Sequence, residues 1–277
     1  MSTLDSHDFL PFLRRVDAQT GNESLLTPDR KIAVSAGPGG GPRPSGVSLA
    51  AAADGYFHHV RREIEPLLPK DASEILDVGA GSGATSAWLR ARYKGCRTVA
   101  LEGNPAVEAG LRANCDVVHI VDLNAELPDV GTPDLVLLLD VLEHLADPWK
   151  VLSNIASIMA PHATVIVSVP NVAHLSVSLP LLFRGTFPYR DAGILDRTHL
   201  RFFVRDSAIA LLNHAGLCVE TGLLNGFDGP RTSLLDWLTF GRLRDRLTKQ
   251  YVLAARRLGA DAAQGRVRWS PVRRVRP

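Results

Sequence analysis

Apolar and polar positions follow two rhythms along most of the chain, and the changes between them place the elements. Short, nearly continuous apolar runs at 74–78, 97–101, 117–121, 134–139 and 163–169 have strand length. The run at 134–139 is apolar almost throughout, as expected of a strand buried on both faces. Helical spacing predicts helices over 56–68, 82–93, 105–113 and 148–159. Regular alternation of strand and helix implies βαβ units and a parallel sheet. After Asn171 the rhythm breaks. Residues 172–197 read as a long irregular segment rich in Leu, Phe and Pro. A helix over 201–215, a strand over 217–224, an amphipathic stretch at 234–247 and a last strand over 250–256 complete the pattern.

Three regions follow. Residues 1–54 form an N-terminal extension with a flexible Gly/Pro linker at 36–46, where neither helix nor strand is supported. Residues 55–258 carry the α/β domain. Residues 259–277 read as an Arg-rich tail, with five arginines and no acid in the last twelve positions. A net charge of +2 over 277 residues gives no global field for nucleic acid, so no nucleic-acid partner is expected. Three widely spaced cysteines suggest neither a disulfide framework nor a zinc site. With no signal peptide and no membrane-length apolar run, the expectation is a cytoplasmic protein without an integral membrane segment.

The chemistry begins where the first strand ends. Ile75-Leu76-Asp77-Val78-Gly79-Ala80-Gly81-Ser82-Gly83 runs an apolar strand into an acid, then into three glycines at alternate positions, then into a helix. Gly79 and Gly81 allow a sharp turn and close approach of a ligand; Gly83 lets the helix pack near the strand. The spacing is G-x-G-x-G, not the dinucleotide G-x-G-x-x-G. Acids recur at strand ends: Asp77, Glu102, Asp122 and Asp140 each close a predicted strand. In an open α/β sheet these positions border the ligand site.

The glycine turn resembles motif I of the class I S-adenosylmethionine-dependent methyltransferases. Asp140-Val141-Leu142-Glu143-His144-Leu145-Ala146-Asp147-Pro148 is similar to the D-V-L-E-H-x-x-D-P signature of one branch. Leu195-Asp196-Arg197-Thr198-His199-Leu200-Arg201-Phe202-Phe203 and Val169-Pro170-Asn171-Val172-Ala173-His174 resemble two further blocks of bacterial members, many tied to polysaccharide assembly. Tyr56-Phe57, Arg61 and Glu63-Ile64 match that branch's leading helix. The resemblance implies a Rossmann-like, seven-stranded, mostly parallel sheet with helices on both faces. It implies S-adenosyl-L-methionine as cofactor, held by Asp77, Gly79, Ala80, Gly81, Gly83, Glu102, Gly103, Asp122, Leu123 and Asp140. A ring of carboxylates suits that ligand's ammonium group, sulfonium charge and ribose hydroxyls.

The acceptor is then expected to be a small molecule, such as a hydroxyl of a sugar, glycan or secondary metabolite. A hydroxyl must lose its proton, and His174, His144 and His199 are the candidate bases. Residues 175–189 are the candidate lid. An amine acceptor or a quinone- or catechol-type hydroxyl is the alternative. A divalent cation at Asp140, Glu143 and His144 is a weaker possibility, and no metal is expected. An NAD-dependent oxidoreductase and a non-catalytic cofactor-binding module are the rival classes.

Overall fold

The computed structural model describes residues 59–227, 229–257 and 267–272. The expected extension at 1–54 lies outside them. Eight strands form one sheet: β1 (Glu74–Val78), β2 (Arg97–Glu102), β3 (Val117–Ile120), β4 (Leu135–Leu139), β5 (Thr164–Pro170), β6 (Leu217–Asn225), β7 (Gln250–Arg257) and β8 (Arg268–Pro271). Their order is β3-β2-β1-β4-β5-β7-β6-β8. β1 to β5 pair in parallel, whereas β7 runs antiparallel to both β5 and β6.

Helices α1 (Ala84–Arg92), α2 (Glu108–Asn114), α3 (Pro148–Ile158), α4 (Leu175–Arg184), α5 (Arg205–His214), α6 (Pro230–Leu238) and α7 (Arg244–Leu247) join the strands. Strand alternation divides the core. Val136 and Leu138 face Leu152 and Ile155 of α3 and Leu211 of α5. Leu135 and Leu137 face Leu89 of α1 and Ile64 of the leading segment. Both faces of β4 are therefore apolar, as its unbroken apolar run requires. Among the described residues, no helix is long and apolar enough to cross a membrane.

Four expectations change. The described part of the leading segment is a 3-10 turn, Arg62–Leu67, containing Pro66 and ending at extended Leu68 before Pro69. Residues 172–197 are not wholly irregular: α4 lies within them, capped by the His174 ring at its start and ended by Gly185 at φ 62°. The helix expected from 201 starts at Arg205. Residues 200–203 are tied elsewhere, because Leu200 and Arg201 donate backbone N–H to the Glu143 carbonyl and Phe203 bridges to Asn171. The stretch at 234–247 is split where Phe240 and Gly241 take φ of 52° and 77°.

The expected tail also contributes an element. β8 pairs in parallel with β6, making eight strands where seven were expected. Trp269 lies against Gly222, where any Cβ would approach its ring to 2.3 Å. It also meets the Tyr251 ring edge-on at 5.8 Å. A single aromatic among arginines gives too little periodic signal for a strand to be read from sequence.

Candidate functional site

The carboxyl edge of β3-β2-β1-β4 gathers the four acids, but it gives them different surroundings. Gly79, Gly81 and Gly83 take φ of 69°, 57° and 76°, which L side chains rarely adopt. The turn is fixed by Gly79 N donating to Leu101 O (2.7 Å) and Gly83 N donating to Ala80 O (2.9 Å). A Cβ on Gly79 would stand 2.5 Å from Val141, and one on Gly83 would meet Leu111 at 3.0 Å. These two glycines are therefore needed for packing as well as for any ligand.

Asp77 is 3% exposed and accepts a 2.6 Å hydrogen bond from Ser86 Oγ. Burial, and secondarily the charge of Glu102, push its carboxyl up to about 6 despite that bond. Glu102 accepts backbone N–H groups from Gly81 and Asn104, each at 2.8 Å, so it clamps the glycine turn to the end of β2. Gly103 follows it, with only Val121 O near its would-be Cβ, at 3.8 Å. Asp122 is exposed and accepts from Asn124 N and Nδ2, whose bonds lower its pKa. Leu123 beside it turns into the core.

Asp140 differs. It takes φ 58°, a left-handed conformation uncommon outside glycine. Arg61 Nη1 lies 2.7 Å from Oδ2, while Ser168 Oγ and Gln250 Nε2 donate to Oδ1 at 2.8 and 2.5 Å. Arg61 also pairs with Glu63 and donates to Ser168 Oγ. Burial alone would lower the pKa of Arg61, but Asp140 and Glu63 raise it further above its ordinary value. Asp140 is thus an acid already neutralised by the protein. Sequence reading placed Arg61 in the leading segment without a partner, and nothing in local spacing pointed to Gln250, 110 positions away.

Beyond Asp140 the chain makes a 3-10 turn, Leu142–His144. Glu143 is 1% exposed, and its carbonyl accepts N–H from Leu200 (2.7 Å) and Arg201 (3.0 Å). This joins the turn to the Thr198–His199 segment. The rings of His144 and His199 meet edge-on with centroids 4.8 Å apart. His144 Nδ1 is 3.3 Å from Thr198 O and 3.2 Å from Thr198 Oγ1. That hydroxyl donates to Asp196 Oδ1 (2.7 Å), so Nδ1 carries the shared proton and Nε2 keeps a lone pair. His199 Nδ1 lies 3.1 Å from Ile194 O, which imposes the same tautomer. Burial lowers the His199 pKa, and the Ile194 bond only partly offsets this.

His174 stands apart from that pair. Its Nδ1 accepts Ser176 N as the cap of α4 and lies 2.8 Å from Ser176 Oγ. Burial, then Lys249, lowers its pKa. Arg197 pairs with Asp191 at the surface and Arg201 lies over Trp149, while Asp196 bonds Thr198. Of the three residues weighed as a weaker cation set, Glu143 and His144 lie beside His199, whereas Asp140 is occupied by Arg61. An aromatic wall continues from His199. Phe202 lies 6.5 Å away, Phe187 5.4 Å beyond it, and Tyr189 5.7 Å from Phe187.

Comparison with known proteins agrees with this geometry. The methyltransferase domain family matches residues 53–221, more than half of the chain. A ubiquinone biosynthesis O-methyltransferase of Xylella fastidiosa is 27% identical over 211 residues, covering 69% of this chain and 77% of that protein. One from Xanthomonas campestris pv. campestris is 27% identical over 166 residues, covering 53% and 67%. Among solved structures, an S-adenosylmethionine-dependent methyltransferase from Archaeoglobus fulgidus superposes with TM-score 0.54 at 16% identity, covering 75% of this chain and 99% of that one. One from Mesorhizobium loti gives 0.51 at 15%, covering 74% and 100%. These two share the fold. An acid-rimmed edge suits a sulfonium nucleoside better than a pyrophosphate, in keeping with the family rather than with an oxidoreductase. The chain belongs to the methyltransferase domain family and is a Rossmann-like, S-adenosylmethionine-dependent methyltransferase.

Proposed function

We propose that this enzyme methylates a hydroxyl group on an aromatic, quinol-type small molecule. The observation that carries the reading is the His144–His199 pair. Each ring has its Nδ1 proton engaged by a backbone carbonyl and its Nε2 lone pair left for chemistry, and the Phe202–Phe187–Tyr189 wall adjoins them. A flat apolar acceptor matches that wall better than a sugar does. The relatives named as O-methyltransferases support the same choice. The acceptor hydroxyl is activated at this pair. His174, spent on capping α4, serves placement of that helix.

The cofactor supplies an activated methyl group, so the protein must bind, align and exclude water. Asp77, Glu102 and Asp122 supply negative charge, the turn from Gly79 through Ala80 and Gly81 to Gly83 supplies close backbone, and Gly103 and Leu123 border the edge. Asp140 belongs to the set through its bond to Arg61, which fixes the start of the Glu143–His144 turn beside β1. Turnover against matched catechol- or quinol-type, sugar and amine acceptors tests the reading. Product on the aromatic hydroxyl is expected. Product on sugars or amines alone overturns it.

A further inference from the structure

Glu143 has no role in the account so far, although it occupies a costly position. Its Oε2 is buried and lacks a hydrogen-bond partner. A buried carboxylate normally has a cation or several donors beside it. Here Leu200 and Arg201 spend their N–H groups on its carbonyl oxygen, leaving Oε2 without a donor. Arg61, the nearest guanidinium of the network, is committed to Asp140 and Glu63. The environment therefore lacks a positive partner.

What does adjoin Glu143 is two imidazoles. One ligand atom each from Glu143, His144 and His199 lies within 4.8 Å of the others. A tetrahedral ion with bonds of about 2.0–2.2 Å holds its ligand atoms about 3.5 Å apart, so small side-chain rotations close the set. Both histidines already donate Nδ1–H outward, to Thr198 O and Ile194 O. That arrangement is how metal-ligating histidines are held in orientation and tautomer. Asp196 adds a further layer by fixing the Thr198 hydroxyl.

We propose that Glu143, His144 and His199 bind one divalent cation of the zinc type, leaving coordination positions for the acceptor's oxygen. Two imidazoles and one carboxylate favour a first-row transition ion over Mg²⁺ or Ca²⁺. The proposal rests on the aromatic-hydroxyl reading and deepens it: acceptors with two adjacent hydroxyls fit two open positions best. The acceptor O–H bond breaks as its proton passes to water. The oxygen's electron pair forms the O–CH3 bond while the S–CH3 bond breaks, its pair remaining on sulfur. The two Nε2 lone pairs then serve as ligands, and the cation supplies the acidity.

The test is calorimetry with Zn²⁺ and Mn²⁺ on the chelator-stripped full-length protein, compared with Glu143→Gln and His199→Ala. S-adenosylhomocysteine affinity and Tm of each protein report that it is folded. One ion per chain, bound at least about 100-fold more weakly by either variant, is the expected result. Absence of stoichiometric binding, or binding unchanged in both folded variants, overturns the site. If either variant does not fold, Co²⁺ absorption of the wild type decides instead. Ligand-field bands that a chelator abolishes support imidazole ligation, and their absence refutes it. Turnover separates the two readings. Ion binding without product on any aromatic hydroxyl refutes the function and leaves the site. Full turnover in a protein that binds no ion refutes the site and leaves the function.

Discussion

The two halves of the carboxyl edge handle acidic side chains in opposite ways. At β1 and β2, Asp77 and Glu102 are buried and accept from neutral donors: Ser86 Oγ, Gly81 N and Asn104 N. At β4, Asp140 faces a guanidinium, a serine and a glutamine at once. The first half keeps its negative charge available to a cationic ligand; the second has its charge consumed before any ligand arrives. On the proposed reading, the difference separates cofactor recognition from the scaffold that presents the acceptor chemistry, although the same residue type stands at equivalent strand ends in both.

The largest way to break the comparison is at the glycine turn. Gly81→Val forces a β-branched residue into φ 57° and fills the approach to the ligand. Calorimetry is expected to show loss of S-adenosylhomocysteine binding in a protein that still melts cooperatively. Next comes Arg61→Ala, which leaves Asp140 with no cation in a mostly buried site. A loss of about 3 kcal/mol in urea unfolding is expected, since removing one partner of a buried pair strands the other.

A smaller effect of opposite sign is expected at Asp77. Its folded pKa of about 6 lies above the ordinary value of 3.8, so the native state holds the proton more tightly than the unfolded chain. Stability from this group is full below pH 3.8, declines as pH rises to about 6, and is flat above. Asp77→Asn should remove that decline and stabilise the chain at pH 7.5 by on the order of 1–3 kcal/mol, while weakening the cofactor. Tm measured from pH 4 to 8 checks the sign. The smallest change calibrates the others. Arg112→Ala breaks an exposed pair with Glu108 and is expected to shift stability by less than about 0.5 kcal/mol.

The β1–β2 half of the edge was legible in the sequence because its signals are local. Three alternating glycines and an acid at each strand end lie within a few residues of the turns they build. The buried strands were equally plain, since β4 shows its burial in an unbroken apolar run. The β4 half was legible only in part. The histidines could be named, but the pairing of His144 with His199 spans 55 positions and depends on a strap whose N–H groups clamp the Glu143 carbonyl. The partner of Asp140 was hidden for the same reason, because Arg61 is 79 residues away. His174 carried no local sign that its ring would cap α4. β8 escaped because one tryptophan, Trp269, does most of its packing.

The division of the edge is tested most directly by measuring kcat and S-adenosylhomocysteine Kd side by side for His144→Ala and Glu102→Gln. His144→Ala is expected to lower kcat by about 10²–10⁴ with Kd nearly unchanged, whereas Glu102→Gln is expected to weaken Kd. Retention of most of kcat by the folded His144→Ala protein, or an equal loss of cofactor affinity in both variants, would contradict the account.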